Sequence, residues 1–135
     1  MKYVYPAIFT QEDKVTLVSF PDLPGAITEA DNLPEALIMA KDAAEMWLEH
    51  REKHNLEIPS PSTVSKAHKH CADPDAIVSL IAADTDEYRR QNDVKAVKKT
   101  LSIPAWLNYQ AERANAPFSQ ILQQGLKEYL KITRH

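Results

Sequence analysis

The last forty or so residues of the chain carry a broader apolar surface than a segment of that length can bury alone. They consist of an alternating run, "AVKKTLSIP", and two short helical patterns separated by "NAP". Chains below about sixty residues form only marginal cores unless they are cross-linked or oligomeric, and a single strand leaves both of its backbone edges unpaired. We therefore expect this segment to fold by interlocking with a second copy of itself.

The alternating run predicts a strand with two different faces. Val97, Leu101 and Ile103 share one face, and Lys98, Thr100 and Ser102 share the other. Leu101 and Ile103 are expected to meet the helices. If two chains pair these strands antiparallel, the polar face forms a two-stranded ribbon of the kind that fits the major groove of DNA, where Lys, Thr and Ser reach base edges. The same three residues also suit the solvated face of an edge strand, because Thr favours strands and Lys protects their edges.

Two helices follow the strand. Proline is favourable at the first position of a helix, so the first helix begins at Pro104; Trp106 lies one residue off its apolar face and is either packed at the domain junction or exposed. The second helix begins near Pro117 to Ser119, where free backbone amides suit a phosphate. The residues expected in the dimer core are Leu101, Ile103, Leu107, Ala111, Ile121, Leu122 and Leu126.

The formal charge is divided between the two parts of the chain. Residues 1 to 93 contain 9 Lys or Arg and 17 Asp or Glu, whereas residues 94 to 135 contain 7 and 2. The resulting balances of −8 and +5 nearly cancel in the net charge of −3. A basic segment suits a polyanion such as nucleic acid, and an acidic domain suits a basic protein, although solvated faces give the same pattern.

The first part of the chain predicts a small sheet with one helix. Lys2 to Thr10 and Val15 to Phe20 have the composition of a hairpin, "AITEAD" supplies a third short strand, and Ala76 to Asp84 a buried one. Between them, Leu33 to about Lys53 is helical, with Asn32 as its cap. The apolar stripe predicted for this helix consists of Leu37, Ala40, Ala44, Trp47 and Leu48.

The order β-β-β-α-β indicates a small α+β domain. Its expected boundaries are residues 1–88, and the strand-helix-helix domain is expected at residues 94–135. The polar stretch from Thr85 to Asp93 is interpreted as a linker. The single cysteine excludes a disulfide scaffold, and the absence of an apolar spanning run and of a secretion leader predicts a cytoplasmic protein with no membrane contact.

Both parts of the chain resemble known families. "KKTLSIP", followed by helices split by "NAPFSQIL", resembles the ribbon-helix-helix repressors. "YPAIF", "VSFPDLPGAITEADNLPEAL" and "IPSPS", in this order and spacing, resemble the HicB-family type II antitoxins. The resemblance covers nearly the whole chain and implies a truncated RNase-H-like domain followed by a ribbon-helix-helix domain.

The resemblance also implies a function. An antitoxin of this family is expected to bind a HicA-type mRNA-cleaving toxin, to inhibit this ribonuclease sterically, and to repress their shared operon as a homodimer on operator DNA, with a tetramer left open. It needs no cofactor and performs no catalysis. The residues that contact the toxin are not identified by the sequence.

The resemblance assigns DNA contacts to particular residues. The base-contacting positions fall on Lys98, Thr100 and Ser102. The positions expected to contact phosphate are Ala116, Pro117, Phe118 and Ser119, with Asn115 as a further candidate. Pro117 departs from the family pattern, because a polar cap and a backbone donor are lost there.

Two other functions fit some of the residues. His50 with His54, and "HKHC" from His68 to Cys71, are suitable ligands for zinc or nickel, so a metal- or ligand-responsive ribbon-helix-helix repressor without a toxin is the main alternative. Exposed histidines are the simpler account, and no metal site is expected. Asp22, Glu29 and Asp31 are the acids that a residual nuclease would use with magnesium, but no further acid completes a two-metal set, and Cys71 has no base partner for a nucleophile.

Overall fold

A four-stranded antiparallel sheet forms the centre of the first part of the protein. The computed structural model describes residues 1–132. The strands are β1 (Lys2–Glu12), β2 (Val15–Ser19), β3 (Ile27–Ala30) and β4 (Ile77–Asp84), in the spatial order β3-β2-β1-β4. All three neighbouring pairs are antiparallel. The predicted hairpin, the third short strand and the later buried strand are confirmed.

Two tight turns determine how β1, β2 and β3 connect. Glu12 pairs with Val15, so only Asp13 and Lys14 lie between β1 and β2. Asp13 has a φ of 55°, a left-handed conformation that Asp tolerates better than most residues. Gly25, before β3, has a φ of 93°, which a side chain would strain.

Helix α1 (Leu33–Lys53) packs across one face of the sheet. The Asn32 side chain accepts a hydrogen bond from the Glu35 backbone N–H at 2.9 Å, as the predicted cap requires. The prediction that Leu37 belongs to the buried stripe is wrong, because this side chain is exposed. Small side chains at every fourth position let the helix approach the sheet closely; the buried apolar residues of α1 are Ala36, Ala40, Ala44 and Leu48.

The connector after α1 contains a short helix that the sequence analysis did not predict. Helix α2 (Val64–His68) is capped by Thr63, whose side chain accepts from the Lys66 N–H at 3.2 Å. It contacts β1 and β4 through a segment in which Ala67 is fully buried. The connector is therefore part of the folded domain.

The segment interpreted as a linker is a helix, so that prediction is wrong. Helix α3 (Thr85–Asn92) begins directly after β4 and contacts α1. The Asp84 carboxylate caps it by accepting from the Asp86 and Glu87 N–H groups at 3.1 and 3.3 Å. Arg89 then forms ion pairs with Glu49 and Glu52 of α1.

The chain divides into two compact units, Met1–Val94 (unit 1) and Lys95–His135 (unit 2). Unit 2 contains α4 (Ala105–Arg113) and α5 (Phe118–Leu130), which confirms both predicted helices. Residues 93–104 form neither helix nor strand in the single chain. Among residues 1–132, no helix has the length and apolarity needed to cross a membrane.

Candidate nucleic-acid interface

Unit 2 leaves its apolar side chains open to solvent. From Lys95 to Ile132 no described residue is buried. The large side chains predicted for the dimer core range from 38 % exposed at Leu122 to 60 % exposed at Leu101, and Ala111 is half-buried. Burying apolar surface is the main driving force of folding, so one copy of this unit lacks most of the stabilisation that its own sequence can provide.

Several of the exposed apolar residues line a groove. Its volume is about 600 Å³. Leu101 and Ile103 line it from one side, and Leu107, Ile121 and Leu122 line it from the two helices. Lys98, Thr100 and Ser102 are not among the residues that line it; the two faces of the strand stay a prediction.

The three residues predicted to contact bases lie on the segment before α4. Lys98, Thr100 and Ser102 are all exposed and alternate with the residues that line the groove. A β-strand needs hydrogen bonds to a neighbouring strand, so the predicted ribbon requires a second chain. Base contact by these residues stays a prediction.

The start of α5 offers fewer donors to a phosphate than expected. The Ala116 N–H donates to the Ala111 carbonyl at 2.9 Å and so belongs to the end of α4. Pro117 has no N–H, and no side chain caps this helix. The sequence predicted the loss of both the donor and the cap at this proline. Asn115 has a φ of 53° and forms the turn between the helices. The backbone amides at Phe118 and Ser119 are the remaining candidates.

The residues considered for metal or nuclease chemistry do not form a site. Asp22 accepts hydrogen bonds from the Ser62 backbone and hydroxyl, so it holds the connector. The His50 and His54 rings lie 4.5 Å apart between centroids, and the Cys71 thiol donates to the Ala67 carbonyl at 3.7 Å. Within residues 1–132, no three His, Cys, Asp or Glu side chains are grouped to hold a metal ion.

A polar cluster in unit 1 joins α1, β1 and α3. Glu52 accepts hydrogen bonds from the Tyr3 hydroxyl at 2.6 Å and the Thr85 hydroxyl at 3.0 Å, and it pairs with Arg89. Burial tends to raise the pKa of Glu52, but these donors outweigh it and the pKa is lowered. Burial and the bond to Glu52 raise the pKa of Tyr3 to about 12. The cluster stabilises the fold.

A second buried carboxylate lies on α1. Glu45 is only 5 % exposed. It accepts from the Asp84 N–H at 2.8 Å and pairs with Lys41 at 2.6 Å. The hydrogen bond to Glu45 raises the pKa of Lys41. Glu45 therefore satisfies a backbone group at the end of the edge strand β4.

A comparison with protein families identifies the kind of protein. The model of the HicB-like antitoxins of bacterial toxin-antitoxin systems matches residues 5–125. The chain belongs to this family. The predicted resemblance to HicB antitoxins is thereby confirmed, and the family consists of regulatory proteins rather than enzymes.

Individual relatives of this HicB-like antitoxin match parts of it. "Antitoxin HicB 2" of Photorhabdus laumondii is 40% identical over 63 residues, which are 47% of this chain and 45% of the relative. The chain thus spans less than half of that relative's length. An uncharacterised 14.9 kDa protein of Haemophilus phage HP1 is 26% identical over 82% of this chain and 80% of its own length.

Solved structures share the fold of this HicB-like antitoxin. A toxin-antitoxin complex from Streptococcus pneumoniae contains a chain with a TM-score of 0.58 and 24% identity, covering 96% of this chain and 99% of that chain. The antitoxin HicB of Burkholderia pseudomallei has a TM-score of 0.54 and 20% identity, covering 97% and 98%. The mixed α+β architecture with one antiparallel sheet is therefore that of HicB antitoxins.

Proposed function

We propose that this HicB-like antitoxin binds and sterically inhibits a HicA-type mRNA-cleaving toxin and represses their shared operon. The family match over residues 5–125, whose description is an antitoxin of a bacterial toxin-antitoxin system, carries this proposal. The toxin and the operator DNA are its partners, and the cytoplasm is its place of action. No catalytic step is assigned to the chain.

Repression requires unit 2 to be a ribbon-helix-helix dimer. The unburied apolar groove supports this, because a second copy would cover it while pairing the Lys98 to Ser102 segments. The two ribbon strands would then carry Lys98, Thr100 and Ser102 from both chains into the major groove. The amides at Phe118 and Ser119 would approach a phosphate.

Inhibition is assigned to unit 1, which we propose to be a truncated RNase-H-like domain. Its acidic balance of −8 over residues 1 to 93 supports contact with a protein that binds RNA. A ribonuclease must attract a polyanion and therefore presents a basic face. An acidic protein that covers this face excludes RNA without any chemistry.

Co-expression tests the antitoxin role. The product of the small open reading frame beside the gene should arrest growth when expressed alone and should be tolerated when the whole chain is expressed with it. Purification of the two should yield a stable complex. Growth arrest that persists despite expression of the folded chain would contradict the proposal.

DNA binding tests the repressor role. The affinity of the whole chain for its own promoter should fall steeply with added salt, because phosphate contacts release counterions. Lys98→Ala with Thr100→Ala should relax sequence preference, whereas Lys131→Ala removes one charge from unit 2 and should leave the preference unchanged. A flat salt response would argue against repression. DNA binding abolished by a chelator would favour the metal-responsive repressor instead.

A further inference from the structure

The two edges of the sheet in unit 1 differ in how they are protected. β3 lies at one edge and β4 at the other. β3 has four residues and carries Glu29, whereas β4 has eight residues and is uncharged from Ile77 to Ala83. Short strands and charged side chains are common devices that keep a sheet edge from pairing with another chain. β3 has both devices, and the long uncharged part of β4 has neither.

Alternate backbone groups of β4 point away from the sheet. The Thr85 N–H donates to the Met1 carbonyl at 3.0 Å and so continues the pairing with β1. The preceding N–H, that of Asp84, donates to the Glu45 carboxylate instead. Because the bonds to one neighbour alternate along an antiparallel strand, every second residue before Asp84 also turns its N–H and C=O outward. These residues are Val78, Leu80 and Ala82. In the part of the chain that the structure describes, no hydrogen bond reaches them from the outer side.

Two large apolar side chains of β4 are exposed on opposite faces of the sheet. Ile77 is 53 % exposed and Leu80 is 56 % exposed. Side chains alternate between the faces of a strand, so Ile77 shares the face of the core residues Ile81 and Ala83, and Leu80 lies on the other face. A helix or loop docked on one face covers only one of them. A strand added along the edge lies beside both, so the edge suits a strand.

The sequence of β4 is complementary to itself in side-chain size. A two-fold axis pairs an antiparallel strand with its own copy, so each residue meets the residue equally far from the axis on the other side. When the whole uncharged segment from Ile77 to Ala83 is paired, Leu80 lies at the axis opposite its own copy. Every other pair joins a larger side chain with a smaller one: Ile77 with Ala83, Val78 with Ala82 and Ile81 with Ser79. Such cross-strand pairs are the contacts that stabilise a sheet.

Electrostatics also favours a second copy at this edge. A basic partner gains no ion pair from the uncharged segment, whereas two copies of the acidic unit 1 repel each other least where charges are absent. A pair of short strands is weak by itself, but linked modules meet at an effective concentration on the order of millimolar. The proposed dimer of unit 2 supplies this link, because residues 93–104 join each unit 2 to a unit 1.

We propose that β4 pairs antiparallel with β4 of a second copy, with Leu80 at the two-fold axis, and joins the two sheets into one. The outward N–H and C=O groups of Val78, Leu80 and Ala82 then bond across the axis. This contact goes beyond the proposed toxin and operator binding, and it rests on the proposed dimer of unit 2 for its strength. It removes the exposed edge of the sheet from solvent.

Amide hydrogen exchange of the whole chain, with no toxin present, tests the pairing. The amides of Val78 and Ala82 should exchange at least about tenfold more slowly in the wild type than in Leu80→Lys, because two lysines at the axis repel each other. The Ile81 amide bonds to β1 and should exchange alike in both, which shows that the strand stays folded. Ile27→Lys places the same charge on the other edge strand, at a residue that is 69 % exposed, and should exchange like the wild type.

A cysteine at the axis provides an independent readout. Leu80→Cys in a Cys71→Ser background, which removes the single native cysteine, should form an intermolecular disulfide on mild oxidation. Residues that exchange both hydrogen bonds across an antiparallel pair lie about 5.5 Å apart at Cα, which is within the reach of a disulfide. Ile27→Cys in the same background is the control and should form less disulfide although it is more exposed. Equal disulfide formation by the two variants would contradict the pairing.

Sedimentation equilibrium of the same samples separates the possible failures. A wild type that self-associates while the Val78 and Ala82 amides exchange as fast as in Leu80→Lys would overturn the β4 pairing and leave the unit 2 dimer standing. A monomeric wild type with fast exchange at these amides would overturn both. Slow exchange that appears only after addition of the purified product of the adjacent small open reading frame would assign the edge to that protein and overturn the proposal.

Discussion

Replacing Leu126 by alanine should weaken self-association of the whole chain. Leu126 lies in the middle of α5, and 51 % of its side chain is exposed in one copy. The ribbon-helix-helix proposal requires that this surface be buried against a second copy. The substitution therefore removes apolar surface that a single chain buries only in part.

The size of the effect follows from the exposed fraction. Fully burying a leucine contributes about 1.5–3 kcal/mol, so burying the remaining half contributes about 1 kcal/mol per chain. A symmetric dimer contains the contact twice, which gives about 2 kcal/mol and a roughly thirtyfold higher dissociation constant. The loss of helix propensity is negligible, because alanine is the better helix former.

Sedimentation equilibrium over a dilution series measures the dissociation constant. Gln123→Ala is the control, because Gln123 lies on the same helix and is exposed. The melting temperature should rise with protein concentration, and at equal concentration it should be lower for Leu126→Ala than for the wild type. If the two variants dissociate alike, α5 does not form the dimer core and the reasoning from exposed surface is refuted.

Three further predictions concern stability. Glu52→Gln should lower the free energy of unfolding by about 1–2 kcal/mol at neutral pH, since it removes the ion pair with Arg89. Because the pKa of Glu52 is lowered from 4.5, the extra stability of the wild type should be present above about that pH and should vanish as acid protonates the carboxylate. Thermal melts of both proteins across the pH range will measure this. The pKa of Tyr3 is raised from 10.0 to about 12, so the stability that its hydroxyl contributes is complete below about pH 10 and is lost as the pH rises through the pKa of the folded protein. Tyr3→Phe should remove this loss of stability in alkali. A variant whose melting temperature falls with alkaline pH as steeply as that of the wild type would contradict the prediction. Gly125→Ala should stabilise α5 by up to about 1 kcal/mol, because an added Cβ meets no atom within 4 Å in the single chain; destabilisation in urea titrations would instead indicate close approach of a second copy.

The elements with a strong local signal were predictable from the sequence. The hairpin, α1 with its Asn32 cap, and both helices of unit 2 follow from periodicity, capping residues and prolines. The family was recognisable because short motifs occur in the right order over nearly the whole chain. These features depend on neighbouring residues and need no knowledge of tertiary contacts.

The elements that were missed are held by polar contacts. Helix α3 has no apolar stripe, so a search for periodic apolar residues reads it as a linker. Its signal was electrostatic: Asp84 as cap, acids in the first turn and Arg89 in the last, the pattern that a helix dipole favours. Leu37 was misplaced because the buried stripe of α1 begins with Ala36, whose small side chain carries a weak signal.

A groove between β3 and α1, lined by Ile27, Met46 and Leu56, was also beyond the sequence. Ile27, Met46 and Leu56 are far apart along the chain and are brought together only by the packing of α1 beside an edge strand. Periodicity assigns exposed methionines to a helix face but does not reveal a concave surface. The exposure of Lys98, Thr100 and Ser102 was predictable because they alternate along the chain with residues that line the groove of unit 2.

The carboxylates of unit 1 fall into two sets with different tasks. Glu45, Glu52 and Asp84 accept hydrogen bonds inside the domain, whereas acids such as Glu29 and Asp42 face solvent. Dissolved ions screen the outer set far more strongly than the inner one. A change in ionic strength therefore alters the field that the outer set projects into solvent more than it alters the contacts that hold the domain together. Surface charge and fold stability can for this reason evolve separately.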